Sequence, residues 1–194
     1  MQALTRSDLF SLEEYAEARS KFRAEVMAHK KNRQVALGPH VRLYFEDRLT
    51  IQYQIQEMLR AERIYEAAGI EDELAAYNPL IPDGGNLKAT FMIEYEDVAE
   101  RRRALAELVG VEDRVWLRVG DGEPIFAIAD EDLERSTEDK TSSVHFLRFE
   151  LDGASRAALK AGAALALGID HPRLRVKADP VAEPVRAALA LDLD

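Results

Sequence analysis

Two hairpin signals constrain the fold more than any other feature of the chain. "QVALGPHVRLYFE", residues 34–46, sets a Gly38-Pro39 turn between two short apolar runs. In the second run Val41, Leu43 and Phe45 alternate with Arg42, Tyr44 and Glu46, the period of a half-buried strand. "VWLRVGDGEPIFAIA", residues 115–129, repeats the arrangement around Asp121-Gly122, a pair suited to a tight turn with positive φ. Hairpins rather than regular strand–helix alternation dominate the strand signal. That pattern predicts an α+β fold: a mostly antiparallel sheet built from hairpins, several packing helices and a long N-terminal helix.

The helices carry their own start signals. Ser11 and Glu14 form a Ser-x-x-Glu capping box, and the helix it opens should reach about Asn32 with Leu12, Tyr15, Phe22 and Val26 facing inward. Asp47 can cap a second helix predicted to stop near Gly69. A short helix, "IEDELAAY", follows, and then the strongest loop signal, "NPLIPDGGN". Beyond it the pattern predicts a strand ("LKATFMIEY"), a helix from Asp97 to Gly110, the second hairpin, a strand ("SSVHFLRFEL"), a small-residue helix, two further strands and a terminal helix. Residues 1–194 read as a single α+β domain, with 78–86 the place for any internal boundary. The sequence aromatic-Glu-Asp recurs at Phe45-Glu46-Asp47 and Tyr95-Glu96-Asp97, and loosely at Phe149 to Asp152; strand-to-helix turns favour such acidic caps.

Charge and composition exclude several classes of function. The net charge of −10 and a pI of about 5.0 repel phosphate backbones, so no nucleic-acid partner is expected. The two basic runs, His29 to Arg33 and Arg101 to Arg103, read as solvated helix faces. With no cysteine, the chain cannot form disulfides, thiolate nucleophiles or cysteine-ligated clusters. No signal-like or membrane-spanning run occurs, which predicts a cytoplasmic protein without a membrane partner. The acidic stretch "DEDLERSTEDK", residues 130–140, lacks the central Gly and terminal Glu of a calcium loop and reads as an exposed, mobile loop. Nucleotide-loop, nucleophile-elbow and zinc-protease signatures are all missing, so neither a cofactor nor a metal is expected.

Three residues stand out as candidate catalytic groups: Glu62, His145 and Arg148. At ~100° per residue, Glu62 falls between Ile51 and Ile55 on the apolar stripe of its helix. A buried carboxylate there needs a cation or strong donor, and Arg148, Lys140 and His145 are the candidates. His145 shares a strand face with Leu147, Phe149 and Leu151. A core histidine satisfied by hydrogen bonds is one reading, and a general base in a pocket the other.

The chain resembles an uncharacterised bacterial family, domain of unknown function 3501. The resemblance is carried by "VALGPHVRLYFEDRLTIQYQIQEMLRAERI", "ELAAYNPLIPDGG", "ERRRALAELVGVEDRVWLRVG" and "KTSSVHFLRFELD". It brings no established activity. It implies a redox or oxidative-stress setting through genes for rubrerythrin-like and cysteine-rich iron–sulfur proteins near those of its members. The expectation is an accessory or binding protein with a redox-protein partner, a homodimer being left open. The alternative is a small-molecule enzyme using Glu62 and His145 in one cleft, with Arg148 the remaining candidate.

Overall fold

Nine strands form two antiparallel sheets in the computed structural model, which describes residues 2–194. The hairpin β1 (Gln34–Ala36) and β2 (Val41–Phe45) continues into β3 (Asn86–Ile93), β7 (Val144–Glu150) and the two-residue β6 (Ile128–Ala129), in the order β1-β2-β3-β7-β6. The smaller sheet runs β5 (Ile125–Phe126), β4 (Val115–Val119), β8 (Leu165–His171) and β9 (Leu174–Ala178). The expected α+β class and the antiparallel hairpins are both present.

The period-2 patterns decide which faces meet. Leu43, Phe45, Ala89, Phe91, Leu147 and Phe149 of the larger sheet share one core with Val115, Leu117, Leu165, Leu167 and Ile169 of the smaller. The opposite face of the larger sheet lies under α1 (Leu12–Lys30), α2 (Arg48–Glu62) and α3 (Ala67–Tyr77). Ile51, Ile55 and Leu59 of α2 and Leu74 of α3 form a second apolar cluster with Leu4 and Ile81. Three further helices, α4 (Val98–Glu107), α5 (Gly153–Lys160) and α6 (Glu183–Ala190), complete the chain.

The expected caps form. Ser11 accepts from the Glu14 amide, and the side chains of Asp47, Asp97 and Asp152 accept from the amides of Thr50, Glu100 and Ser155. The recurrent Asp is therefore a helix cap each time.

Three expectations differ from the structure. The second helix stops at Glu62, because Arg63 turns into the left-handed region (φ 56) and the Ile64 amide donates back to Leu59 at 2.9 Å. Gly69 lies inside α3 instead. A Cβ there would stand 2.7 Å from Ile64 Cγ2, so the glycine permits close packing and ends nothing. In the second hairpin the positive φ belongs to Gly120 (φ 55), and five residues separate β4 from β5 where a two-residue turn was expected. Finally, Arg33 is not on a solvated face. It is 3% exposed, donates to the carbonyls of Phe45 and Glu46, and forms ion pairs with Asp47 and Asp192.

Candidate functional site

Cross-strand register places three charged side chains in a row on the outer face of the larger sheet. Phe45 is paired with Ala89, and the Glu46 amide donates to the Lys88 carbonyl at 2.8 Å. Lys88 is in turn the register partner of Arg148. Strand alternation sends these three side chains away from the core, because their neighbours Phe45, Ala89, Leu147 and Phe149 point into it. They face a cleft of about 690 Å³ whose other wall is Met58 of α2, Ala75, Ala76 and Tyr77 of α3, and the Pro79-Leu80 turn. Phe146 forms part of its floor, and Glu73, Glu131 and Asp132 stand along it. A second cleft shares Glu46, Tyr77, Leu80 and Phe146 and reaches Tyr44, Thr90 and Met92, so the groove follows the helix–sheet seam.

Most charges along the seam are already matched. Arg148 grips Glu131 through two nitrogens at 2.8 Å each and also pairs with Glu150, which holds its guanidinium well above the usual range. Arg135 pairs with Asp132 and stacks over Phe146, 4.6 Å from the ring centroid. Glu46 accepts from the Thr50 and Thr90 hydroxyls at 2.6 and 2.7 Å. Burial, with repulsion from Glu62 and Asp72 behind it, pushes the Glu73 carboxyl up. Lys88 is different. It is half-buried, makes no ion pair among the described residues, and donates to the Pro79 carbonyl at 2.6 Å. Desolvation, with the Arg148 charge against it, pulls the Lys88 ammonium down; Asp83, Glu131 and Glu150 oppose the shift.

His145 lies on the other face of β7. It is 0% exposed, with Asp130 Oδ2 2.5 Å from Nδ1 and Thr141 Oγ1 2.8 Å from Nε2. Glu112 accepts from Thr141 at 3.0 Å and from Ser136. Glu112, Asp130 and His145 are the one trio among the described residues with ligand-capable atoms close enough, within 4.8 Å, to hold a metal ion. Each of those side chains already has hydrogen-bond partners. The cluster fastens both ends of the acidic stretch to the core, while residues 131–134 and 137–140 are exposed as expected.

Glu62 is the clear correction. It is exposed, not buried, and it meets none of Arg148, Lys140 or His145. The stripe Ile51, Ile55 and Leu59 is buried as the helical arithmetic requires. Glu62 follows it by angle but is the last residue of α2, where the chain turns off and nothing packs over it. Glu62 and His145 therefore do not converge: one is at an exposed helix end, the other on the inner side of the sheet that the helices cover. Of the three candidates only Arg148 lines the cleft. Sequence reasoning passed over Lys88, whose signal was an isolated Lys on a strand reading "LKATF".

A helix-covered antiparallel sheet, with a ligand-sized cleft at the seam, places the molecule among α+β proteins with a candidate small-molecule site. The chain belongs to the family described as Protein of unknown function (DUF3501), whose model matches residues 3–193. It is similar to a protein of unknown function from Burkholderia pseudomallei K96243 seen by crystallography. The two are 58% identical with 100% of each chain covered and a TM-score of 0.95. No curated protein matches the chain.

Proposed function

We propose that this is a binding protein whose ligand, a small and largely apolar molecule, sits in the cleft between α2–α3 and the outer face of the larger sheet. The observation that carries this reading is the cleft itself. Its 690 Å³ suits a small organic molecule, and its apolar wall of Met58, Ala75, Ala76, Tyr77, Leu80 and Phe146 faces charged groups that are mostly paired with one another. The alternative of a Glu62–His145 enzyme loses its geometric support, since the two residues lie on opposite sides of a sheet.

The family resemblance adds a setting. The accessory role, in a redox or oxidative-stress pathway and beside a redox-protein partner, is supported by the cysteine-free composition, which leaves thiol and iron–sulfur chemistry to another chain. Capture of partners from native cells followed by mass spectrometry tests this part. Repeated recovery of redox proteins is the expected result, and recovery of none counts against it.

The cleft is tested with 8-anilinonaphthalene-1-sulfonate, an apolar fluorescent anion, added to the folded protein. Saturable fluorescence is expected, and Ala76→Phe, which fills the cleft from an exposed position on α3, should abolish it without lowering Tm. Unsaturable fluorescence, or the same fluorescence in Ala76→Phe, would remove the cleft as the site.

A further inference from the structure

We propose that Lys88 is a reactive amine that captures a carbonyl compound, an aldehyde or ketone, in the cleft as a Schiff base. The inference rests on the cleft being the ligand site and names the chemical class of that ligand.

Three structural observations carry it. The first is position: Lys88 is the lysine of the cleft, on its floor beside Ala89 and Leu147 and opposite the apolar wall of α3. Of the other lysines, Lys30 borders only the Tyr44–Met92 part of the groove, and those at 21, 31, 140, 160 and 177 line neither part. The second is register: Lys88 stands directly across from Arg148, and like charges held opposite one another in an antiparallel pair are mutually unfavourable. Arg148 keeps its charge, being gripped by Glu131 and Glu150. Those two carboxylates are spent on Arg148, so Arg148 both faces Lys88 and withholds from it acids that, with Asp83, would favour its protonated form. The third is the lack of a counter-ion: Lys88 makes no ion pair among the described residues and has one carbonyl acceptor, Pro79. Partial desolvation acts in the same direction. An amine desolvated in an apolar pocket, or set beside another cation, holds its proton less tightly and presents more of the neutral, nucleophilic form than an exposed lysine does.

The chemistry balances without an added oxidant or reductant. The neutral Nζ adds its lone pair to the carbonyl carbon, and the carbonyl oxygen takes up a proton to give a carbinolamine. The nitrogen gives up both of its protons over the sequence, the hydroxyl takes up one more and leaves as water, and a carbon–nitrogen double bond remains. Across the step one amine and one carbonyl give one imine and one water.

The test uses the full chain and two small carbonyl probes, butanal and acetone, each trapped with sodium cyanoborohydride, which delivers hydride to the imine and fixes it as a secondary amine. Peptide mass mapping then reads the adduct at every lysine. At pH 7 we expect the Lys88 adduct to form at least tenfold faster than the adduct at any other lysine, and to vanish in Lys88→Arg. Arg148→Gln should slow labelling of Lys88 at pH 7 and restore it at pH 9, a pH shift that a merely structural arginine would not produce. Labelling spread evenly over the exposed lysines, or a Lys88 rate indifferent to Arg148, overturns the inference. Anilinonaphthalene binding to the wild-type protein separates the two levels. If the dye still binds the cleft while Lys88 is not preferred, the reactive-amine inference fails and the cleft stands. If the dye does not bind the wild-type cleft, the reading beneath it fails as well.

Discussion

Arg33, in the turn after α1, donates its guanidinium to Asp192, 159 residues away. Both are almost fully buried, and Asp47 and His29 complete the group. Burial pushes the Asp192 carboxyl up from 3.8 to about 6, against the attraction of Arg33 and His29. The folded state thus binds this proton more readily than the unfolded chain. The stabilisation is complete below pH 3.8 and is lost as the pH rises through about 6. The loss is on the order of 2–3 kcal/mol. Asp47 shifts the other way, so the clean readout is a difference: urea stability of the wild type minus that of Asp192→Asn. It should fall between pH 4 and pH 7. A flat difference would show that the Arg33 pair outweighs burial.

Trp116 and Gly168 face one another across β4 and β8, and the indole covers the glycine. A Cβ on Gly168 would stand 2.3 Å from the ring and 2.9 Å from the Val176 carbonyl. Gly168→Ala should therefore cost about 2–3 kcal/mol by overpacking. Trp116 is the one tryptophan of the chain, so its emission reports the displacement directly. Unchanged emission and stability would mean that the ring moves aside freely.

Glu62→Gln and Glu62→Leu should both leave stability within about 0.5 kcal/mol, because an exposed helix-end residue has little to lose. A loss above ~1.5 kcal/mol in denaturant titration would restore the buried position that periodicity alone assigns to it.

The caps supply a further measurement. Asp97→Ala and Asp152→Ala should each cost about 1 kcal/mol, and the Asn replacements much less. The two caps share no hydrogen-bond partner, so the costs should add in the double variant. Marked non-additivity would imply that α4 and α5 are coupled.

Much of this was legible because it is local. The alternation of Val41, Leu43 and Phe45 gave the inner face of β2, and Asp47, Asp97 and Asp152 announced their helices through a side chain three residues from its partner. Period alone also put Ile51, Ile55 and Leu59 in the core. The same arithmetic failed at Glu62, since a period gives direction and says nothing of where the packing partner ends. Arg33 failed for the complementary reason: its counter-charge, Asp192, is near the other end of the chain. Lys88 and Arg148 become neighbours only through the β3–β7 register, and Glu112 meets His145 only through the packing of two sheets. Pairings across tens of residues leave no mark on either local sequence.

The margins of the two sheets have their own consequence. Three of the four edges are strands of two or three residues, β1, β5 and β6, and the fourth, β9, turns Arg175 and Lys177 outward. An incoming strand from another molecule would find too few free amides and carbonyls to continue the ladder, or would meet the charged side chains of Arg175 and Lys177 and their partners Asp170 and Asp179. Runaway polymerisation at high protein concentration is thereby resisted by geometry on three sides and by side-chain charge on the last.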